Sequence, residues 1–232
     1  MHCLRFLINS RPEARIYSFY VRSIGFLHYL CTTFENNNFA QTLIKKMTEF
    51  EKMRSQQLYN FENKDVLKHV DKANRICARL SNLTVNSPEY RSLIEELVPG
   101  IPASSTINPP FHCDFGNGIR IGKHTFINYD AVMLDGGIIT IGSHCKIGPR
   151  CQFYTPQHPI DYKEREMPVE TCLPITIGDN CWLGGGVIVC PGVTIGDRCI
   201  IAAGSVVTRN IPSDSLAAGN PAVVKRRLQN EQ

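Results

Sequence analysis

A single histidine stands in the least regular stretch of the chain. His158 lies within residues 154–166, YTPQHPIDYKERE. This segment has no periodicity, whereas on both sides of it apolar residues recur at every sixth position. Histidine titrates near neutral pH, so it can take a proton from a weakly acidic hydroxyl and act as a general base. A lone histidine on a loop is otherwise usually only solvated. Its meaning therefore depends on the elements around it.

Asn128 and a group of basic residues are the other candidates for chemistry. Asn128, in the segment FINYD, follows an apolar position after which neighbouring repeats often place glycine. Asparagine at such a corner tolerates a left-handed backbone, whereas an amide N–H aimed at a developing oxyanion would stabilise it by about 3 kcal/mol. The basic residues either bind anionic phosphates or belong to a solvent-exposed C-terminal segment. They are Arg209, Lys225, Arg226 and Arg227.

Large apolar residues recur at every sixth position in three runs. Four residues after most of them comes a small residue, such as Cys145, Cys181 or Cys199. This period fits neither a helix nor simple strand alternation, and it predicts an all-β parallel coil with three flat faces and 18 residues per turn. Cysteine at the small position is expected to be a buried hydrophobe. The large residues are Phe115, Ile121, Ile127 and Met133, then Ile141, Ile147 and Phe153, then Ile177, Leu183, Val189, Ile195, Ile201 and Val207.

The breaks in this count predict the organisation of the chain. Residues 109–212 are the coil, with a corner bulge at the Gly136–Gly137 pair and a loop at 154–174 that leaves the prism. Residues 47–108 form a small N-terminal helical module. One helix covers the apolar positions from Val66 to Leu80 after Asn63, and a second begins with Ser87 as N-cap in SPEYRSLIEELVP. Residues 213–232 are a C-terminal tail.

Four segments together resemble the maltose and galactoside O-acetyltransferases of the hexapeptide-repeat acyltransferases. They are PITIGDNCWLGGGVIVCPGVTIG, IIAAGSVVTRNIP, AAGNPAVVKR and the histidine loop TPQHPID. The resemblance runs from about Met47 to the end of the chain. It implies a left-handed parallel β-helix, a homotrimer with active sites between subunits, and acetyl-CoA as co-substrate with no metal. Residues 1–46 are an unmatched extension, interpreted as a mis-chosen start, and a chain beginning at Met47 is expected to keep its activity.

The resemblance also implies roles for individual residues. It makes His158 the general base for acetyl transfer to a sugar hydroxyl and Asn128 the residue that stabilises the transition state. Asp114, where the family has serine, joins Asp135 and Glu170 as acceptor-binding residues. Trp182 is either a core residue or a wall of the acceptor site. The positions implied to contact CoA are Gly185, Ala203, Thr208, Arg209 and Arg226.

The sequence leaves alternative functions open. An antibiotic or serine O-acetyltransferase is the alternative within the acyltransferases. A metal hydratase needs three converging histidines, but only His124 and His144 share a repeat position. A purely structural trimeric coil is the remaining alternative.

Composition and charge bear on possible partners and on the cellular compartment. A net charge of +4 is too mild to argue for nucleic acid. The apolar stretch at 16–31, which contains Arg22 and His28, is too short for a membrane span. Ten cysteines without a CxxC pair favour a reducing cytoplasm over a disulfide framework.

Overall fold

Short strands wound into a coil form most of the molecule. The computed structural model describes residues 47–229, in which the strands build a left-handed parallel β-helix of about six turns, as predicted. The helices are α1 (Glu49–Arg54), α2 (Lys64–Leu80), α3 (Tyr90–Leu97) and α4 (Tyr162–Arg165). The strands are β1 (Tyr59–Asn60), β2 (Thr106–Ile107), β3 (Phe111–Cys113), β4 (Ile119–Ile121), β5 (Phe126–Ile127), β6 (Ala131–Leu134), β7 (Ile139–Ile141), β8 (Lys146–Ile147), β9 (Gln152–Tyr154), β10 (Pro156–Gln157), β11 (Val169–Cys172), β12 (Ile175–Ile177), β13 (Trp182–Leu183), β14 (Ile188–Val189), β15 (Thr194–Ile195), β16 (Ile200–Ile201), β17 (Val206–Val207), β18 (Ser215–Gly219) and β19 (Ala222–Arg227).

Each of the three faces of the prism is a sheet whose strands run parallel, except that β19 at the edge of the third sheet is antiparallel. One sheet has the order β15-β12-β7-β4, the second β17-β14-β9-β6-β3, and the third β19-β18-β16-β13-β8-β5-β2. Leu183 pairs with Ile201, which confirms a turn of 18 residues in the later part of the coil. Ile127 pairs with Ile147, so the early turns take 20 residues.

The interior is filled as the six-residue period predicts. Side chains at the large positions, such as Ile147 and Leu183, are almost fully buried, and successive turns stack them on one another. The cysteines at the small position are buried free thiols among the described residues. Close packing of this kind makes any change of volume in the prism costly.

Several corners of the prism carry large residues in the left-handed conformation where glycine would be easiest. His124 and His144 have φ values of 58° and 59°, and their rings stack with centroids 4.9 Å apart. Asn180 also has a positive φ, 56°. Asn128 is not among these residues; Asp130, two positions on, takes the left-handed conformation instead.

The helical module packs on the first turns of the coil. Asn63 caps α2 by accepting a hydrogen bond from the backbone N–H of Asp65, and the apolar face of α2 joins the coil's hydrophobic core. The prediction that Ser87 caps the next helix is wrong. Ser87 accepts instead from the N–H of Thr84 in a preceding turn, and α3 begins at Tyr90 after Glu89.

The loop at 154–174 leaves the prism but is not irregular throughout. It contains β10, α4 and β11, and β11 is the middle strand of a small antiparallel sheet with the order β1-β11-β10. Because β1 comes from the helical module, that module and the loop are joined by backbone hydrogen bonds. The sequence did not indicate this pairing.

The coil extends past both of its predicted boundaries. β2 lies before residue 109 and pairs with β5, while β18 lies after residue 212 and pairs in parallel with β16. β19 then folds back antiparallel on β18. No helix within residues 47–229 has the length and apolarity needed to cross a membrane. The predicted extension at 1–46 lies outside the described residues.

Candidate active site

His158 and Glu170 face each other across the small antiparallel sheet. His158 follows β10, Glu170 lies on β11, and the pairing of these two strands brings the side chains together. Nε2 of His158 lies 3.6 Å from Oε2 of Glu170. This distance is slightly longer than a direct hydrogen bond, and such contacts commonly tighten when substrate binds.

The two members of this pair differ in their access to solvent. The His158 side chain is 54% exposed, whereas that of Glu170 is 12% exposed. The ring of Phe61 packs edge-on against the imidazole with centroids 5.8 Å apart. The histidine therefore presents one side to solvent, where an acceptor can approach, while its other side is held by the protein.

Tyr59 contacts Glu170 from the opposite strand. Tyr59 pairs with Glu170 across β1 and β11, and its hydroxyl donates a hydrogen bond to Oε1 of Glu170. The hydroxyl also lies 3.6 Å from Sγ of Cys172. Burial raises the pKa of Tyr59 well above its usual value, so this hydroxyl remains protonated and donates.

Asp135 is a fully buried carboxylate that the backbone surrounds. Its Oδ1 accepts from the N–H of Phe115 at 2.8 Å and its Oδ2 from the N–H of Gly118 at 2.9 Å. The guanidinium of Arg54 lies 3.9 Å from Oδ2 and also donates to the carbonyl of Asp135. The described residues thus already use both oxygens of the carboxylate that the resemblance assigns to acceptor binding.

Asp114 lies close to both of the other carboxylates. Burial, together with the negative charges of Asp135 and Glu170, raises its pKa to about 7. A carboxyl in this state can either donate or accept a hydrogen bond at neutral pH. That property suits contact with a hydroxyl of an acceptor.

A shallow, mainly apolar groove of about 620 Å³ runs along the third sheet of the prism. Asn128, Gly185 and Ala203 line it, together with Trp182, whose side chain is 56% exposed. Trp182 is therefore a surface residue and not a core residue. The side-chain oxygen of Asn128 accepts from the N–H of Tyr129, which leaves its amide N–H₂ as the part of the side chain able to donate.

The other residues implied to contact CoA do not line this groove. Thr208 and Arg209 follow β17, Arg226 lies on β19, and all three are exposed. Arg227 differs, because it donates to the carbonyl of Ser213 at 2.6 Å. It holds β19 on the coil and is less available for a ligand.

The structure thus gathers the predicted residues into two separate groups. His158 and Glu170 lie with the two aspartates, whereas Asn128 lines the groove with Gly185 and Ala203, and His158 is not among the residues of that groove. Tyr59, Phe61 and Arg54 contact the first group but were missed by sequence reasoning. Within residues 47–229 no three His, Cys, Asp or Glu side chains converge so as to hold a metal ion.

Comparison with known proteins gives consistent results. Residues 174–209 match the family described as bacterial transferase hexapeptide (six repeats). A hexapeptide-repeat-containing acetyltransferase of Vibrio cholerae, solved in complex with acetyl-coenzyme A, is 42% identical, with a TM-score of 0.74 over 79% of this chain and 100% of that chain. A maltose O-acetyltransferase of Clostridium difficile is 36% identical, with a TM-score of 0.77 over 79% of this chain and 99% of that chain. Nodulation protein L of Rhizobium leguminosarum is 42% identical over 75% of this chain and 93% of its own length. The similarity spans nearly the whole length of each of these proteins.

Proposed function

This chain belongs to the hexapeptide-repeat acetyltransferases, which use acetyl-CoA, and from that premise we propose that it acetylates a sugar hydroxyl with His158 as the general base. The observation that carries the proposal is the half-exposed imidazole of His158 held against the carboxylate of Glu170. The maltose O-acetyltransferase of Clostridium difficile supports a sugar as the class of acceptor. In this proposal Asp114 and Glu170 contact its other hydroxyls.

In the proposed reaction His158 removes the proton of the acceptor hydroxyl as the oxygen attacks the thioester carbonyl. A new C–O bond forms, the C–S bond breaks, and the imidazolium returns the proton to the CoA thiolate. A positioned base of this kind typically accelerates a reaction by about 100- to 10,000-fold. The amide N–H₂ of Asn128 stabilises the oxyanion of the tetrahedral intermediate.

In this proposal the two roles fall on neighbouring chains, which is supported by the absence of His158 from the lining of the groove that contains Asn128. A homotrimer brings the loop of one subunit against the groove of its neighbour and completes a site at each of its three borders. An inactive variant His158→Ala mixed with an inactive Asn128→Ala variant should then regain activity after joint refolding, since some borders of a mixed trimer contain both original residues. Light scattering should give a trimer for each variant. A fully active monomer, or a mixture that stays inactive, contradicts the shared site.

Arg209 and Arg226 are proposed to meet the phosphates of CoA. Replacing both by alanine should raise the KM for acetyl-CoA by about tenfold with little change in kcat, because phosphate contacts far from the thioester stabilise ground state and transition state alike. The loss should shrink at high salt, which already screens these contacts in the unchanged protein. Arg227 stays unaltered because it holds β19 in place.

The control for this pair of substitutions is Arg79→Ala, which removes an exposed arginine from α2. It should leave the KM for acetyl-CoA unchanged at every salt concentration. If the double variant behaves in the same way as this control, the phosphates are held by other residues.

An acceptor panel tests the proposed reaction itself. Release of free CoA thiol from acetyl-CoA should accelerate with maltose, glucose, a galactoside or a glucosamine oligomer. The same assay should show no acceleration with L-serine or with antibiotic acceptors. Acceleration by serine or an antibiotic alone overturns the sugar assignment and leaves the family assignment intact.

A further inference from the structure

The short strand β1 contacts both members of the His158–Glu170 pair. Tyr59 at its start donates to Glu170, 111 positions later in the chain, and Phe61 just beyond its end packs against His158. The N–H of Phe61 also donates to the carbonyl of Pro168 at 3.0 Å, immediately before β11. The helical module thus braces the loop on both sides of Glu170.

The two oxygens of Glu170 have different partners. Oε1 accepts from the hydroxyl of Tyr59, and Oε2 faces Nε2 of His158. A carboxylate turns about its terminal bond with little preference, so a fixed donor at one oxygen decides where the other oxygen points. Tyr59 is itself only 3% exposed, so the donor cannot swing away. Its ring belongs to a buried cluster whose other members are Met53, Val66, Phe115 and Cys172.

Together these contacts link the buried ring of Tyr59 to the half-exposed imidazole of His158. The Tyr59 ring is fixed by packing, the Glu170 carboxylate is fixed by the hydroxyl, and the imidazole of His158 faces the remaining oxygen. The carboxylate favours the tautomer that places a proton on the nitrogen facing it, which leaves the opposite ring nitrogen to act as base.

We propose that Tyr59 is a positioning residue for acetyl transfer: it acts through Glu170 to hold the imidazole of His158 in the orientation and tautomer that accept the proton of the acceptor. The inference rests on the proposed function, in which His158 is the base. It assigns a role in the reaction to a residue of the helical module.

Tyr59→Phe tests the inference, because it removes the hydroxyl and keeps the ring. We expect kcat to fall by about tenfold, far less than on loss of the base, because the imidazole is still present but poorly oriented. The KM for acetyl-CoA should stay within about twofold, because Tyr59 does not line the groove that contains Asn128. Both constants are measured with the best acceptor of the panel.

Tyr90→Phe is the matched control. Tyr90 is also a buried tyrosine, 5% exposed, and its hydroxyl donates to the carbonyl of Ile107 at 2.9 Å. The Tyr90 hydroxyl also accepts from the N–H of Ile107 at 3.1 Å, so each variant loses two contacts of a buried hydroxyl and should show a similar small drop in melting temperature. Only Tyr59→Phe should lower kcat. If the two variants lower kcat equally, the role of Tyr59 is structural and the proposal is overturned.

A double-mutant cycle separates action through Glu170 from any independent effect. If Tyr59 acts only by orienting that carboxylate, Tyr59→Phe should lower kcat no further in a protein that already carries Glu170→Gln. An equal, additive loss in both backgrounds overturns the proposal.

His158→Ala serves as the reference for the whole set. If it retains turnover, the assigned base and the positioning role both fail. If it is inactive while Tyr59→Phe keeps the kcat of the unchanged protein, only the positioning role fails.

Discussion

Replacing His158 by alanine should lower the rate of acetyl transfer by several hundred-fold or more. The acceptor hydroxyl would then lose its proton only to water, and a positioned base is typically worth about 100- to 10,000-fold. Binding of acetyl-CoA should be almost unchanged, because the base acts in the transition state and its loop does not line the groove. Steady-state kinetics with the best acceptor and calorimetric titration of CoA measure the two quantities.

His112→Ala provides the comparison for this experiment. His112 is exposed on β3, and no hydrogen bond to its side chain is found among the described residues. Its loss should leave turnover near that of the unchanged protein. Turnover of the His158 variant close to that of the His112 variant would remove His158 from the mechanism.

Arg54→Met should destabilise the fold by about 3 kcal/mol. The guanidinium of Arg54 donates to the carbonyl of Gly136 at 2.8 Å, lies beside the buried carboxylate of Asp135 and packs over the ring of Phe115. Removing the cation leaves the carboxylate buried without its charged partner, and such losses typically cost about 3 to 5 kcal/mol. Urea unfolding followed by circular dichroism gives the change in the free energy of unfolding.

The pH dependence of this loss has a definite sign. Burial raises the pKa of Asp135 above its unfolded value, although its backbone hydrogen bonds and the Arg54 charge oppose the shift. The stability linked to this group is therefore present below its unfolded pKa and is lost as pH rises through the folded one. Without Arg54 that pKa rises further, so the difference between variant and unchanged protein should shrink as pH falls.

Arg120→Met is the control for the Arg54 variant. Arg120 is exposed on β4 and donates to the backbone carbonyls of Asn117 and Ile119. Because surface groups of this kind contribute little, its loss should cost less than about 0.5 kcal/mol. A cost for Arg54→Met that matches this control, or one that grows in acid, contradicts the buried pairing.

The repeats were predictable because they are local. Every sixth position repeats one environment, so the apolar pattern alone indicates the prism, the stacking of Leu183 on Ile201 and the burial of cysteines such as Cys181. Helix caps are harder to predict, because one side chain can accept from more than one nearby backbone N–H. The sequence SPEY contains the usual signals of a helix start. However, the Ser87 hydroxyl accepts a hydrogen bond in the preceding turn, and α3 begins only at Tyr90.

The candidate site was predictable only in part, because its contacts join distant segments. His158 stood out as an irregularity and by resemblance, and its role as base stays a prediction. Nothing in the residues 58–63, LYNFEN, indicates a strand that would pair with β11, so the contact of Tyr59 with Glu170 could not be inferred. The buried pairing of Asp135 with Arg54 likewise depends on where α1 packs.

The antiparallel strand β19 also affects how separate molecules meet. A parallel coil ends in a strand edge whose unpaired backbone groups would otherwise accept a strand of another coil, and end-to-end stacking of this kind produces filaments. Here β19 covers β18 and places Lys225, Arg226 and Arg227 along the last edge of the sheet. Like charges on two such edges repel each other, which opposes pairing of β19 with the β19 of a second molecule.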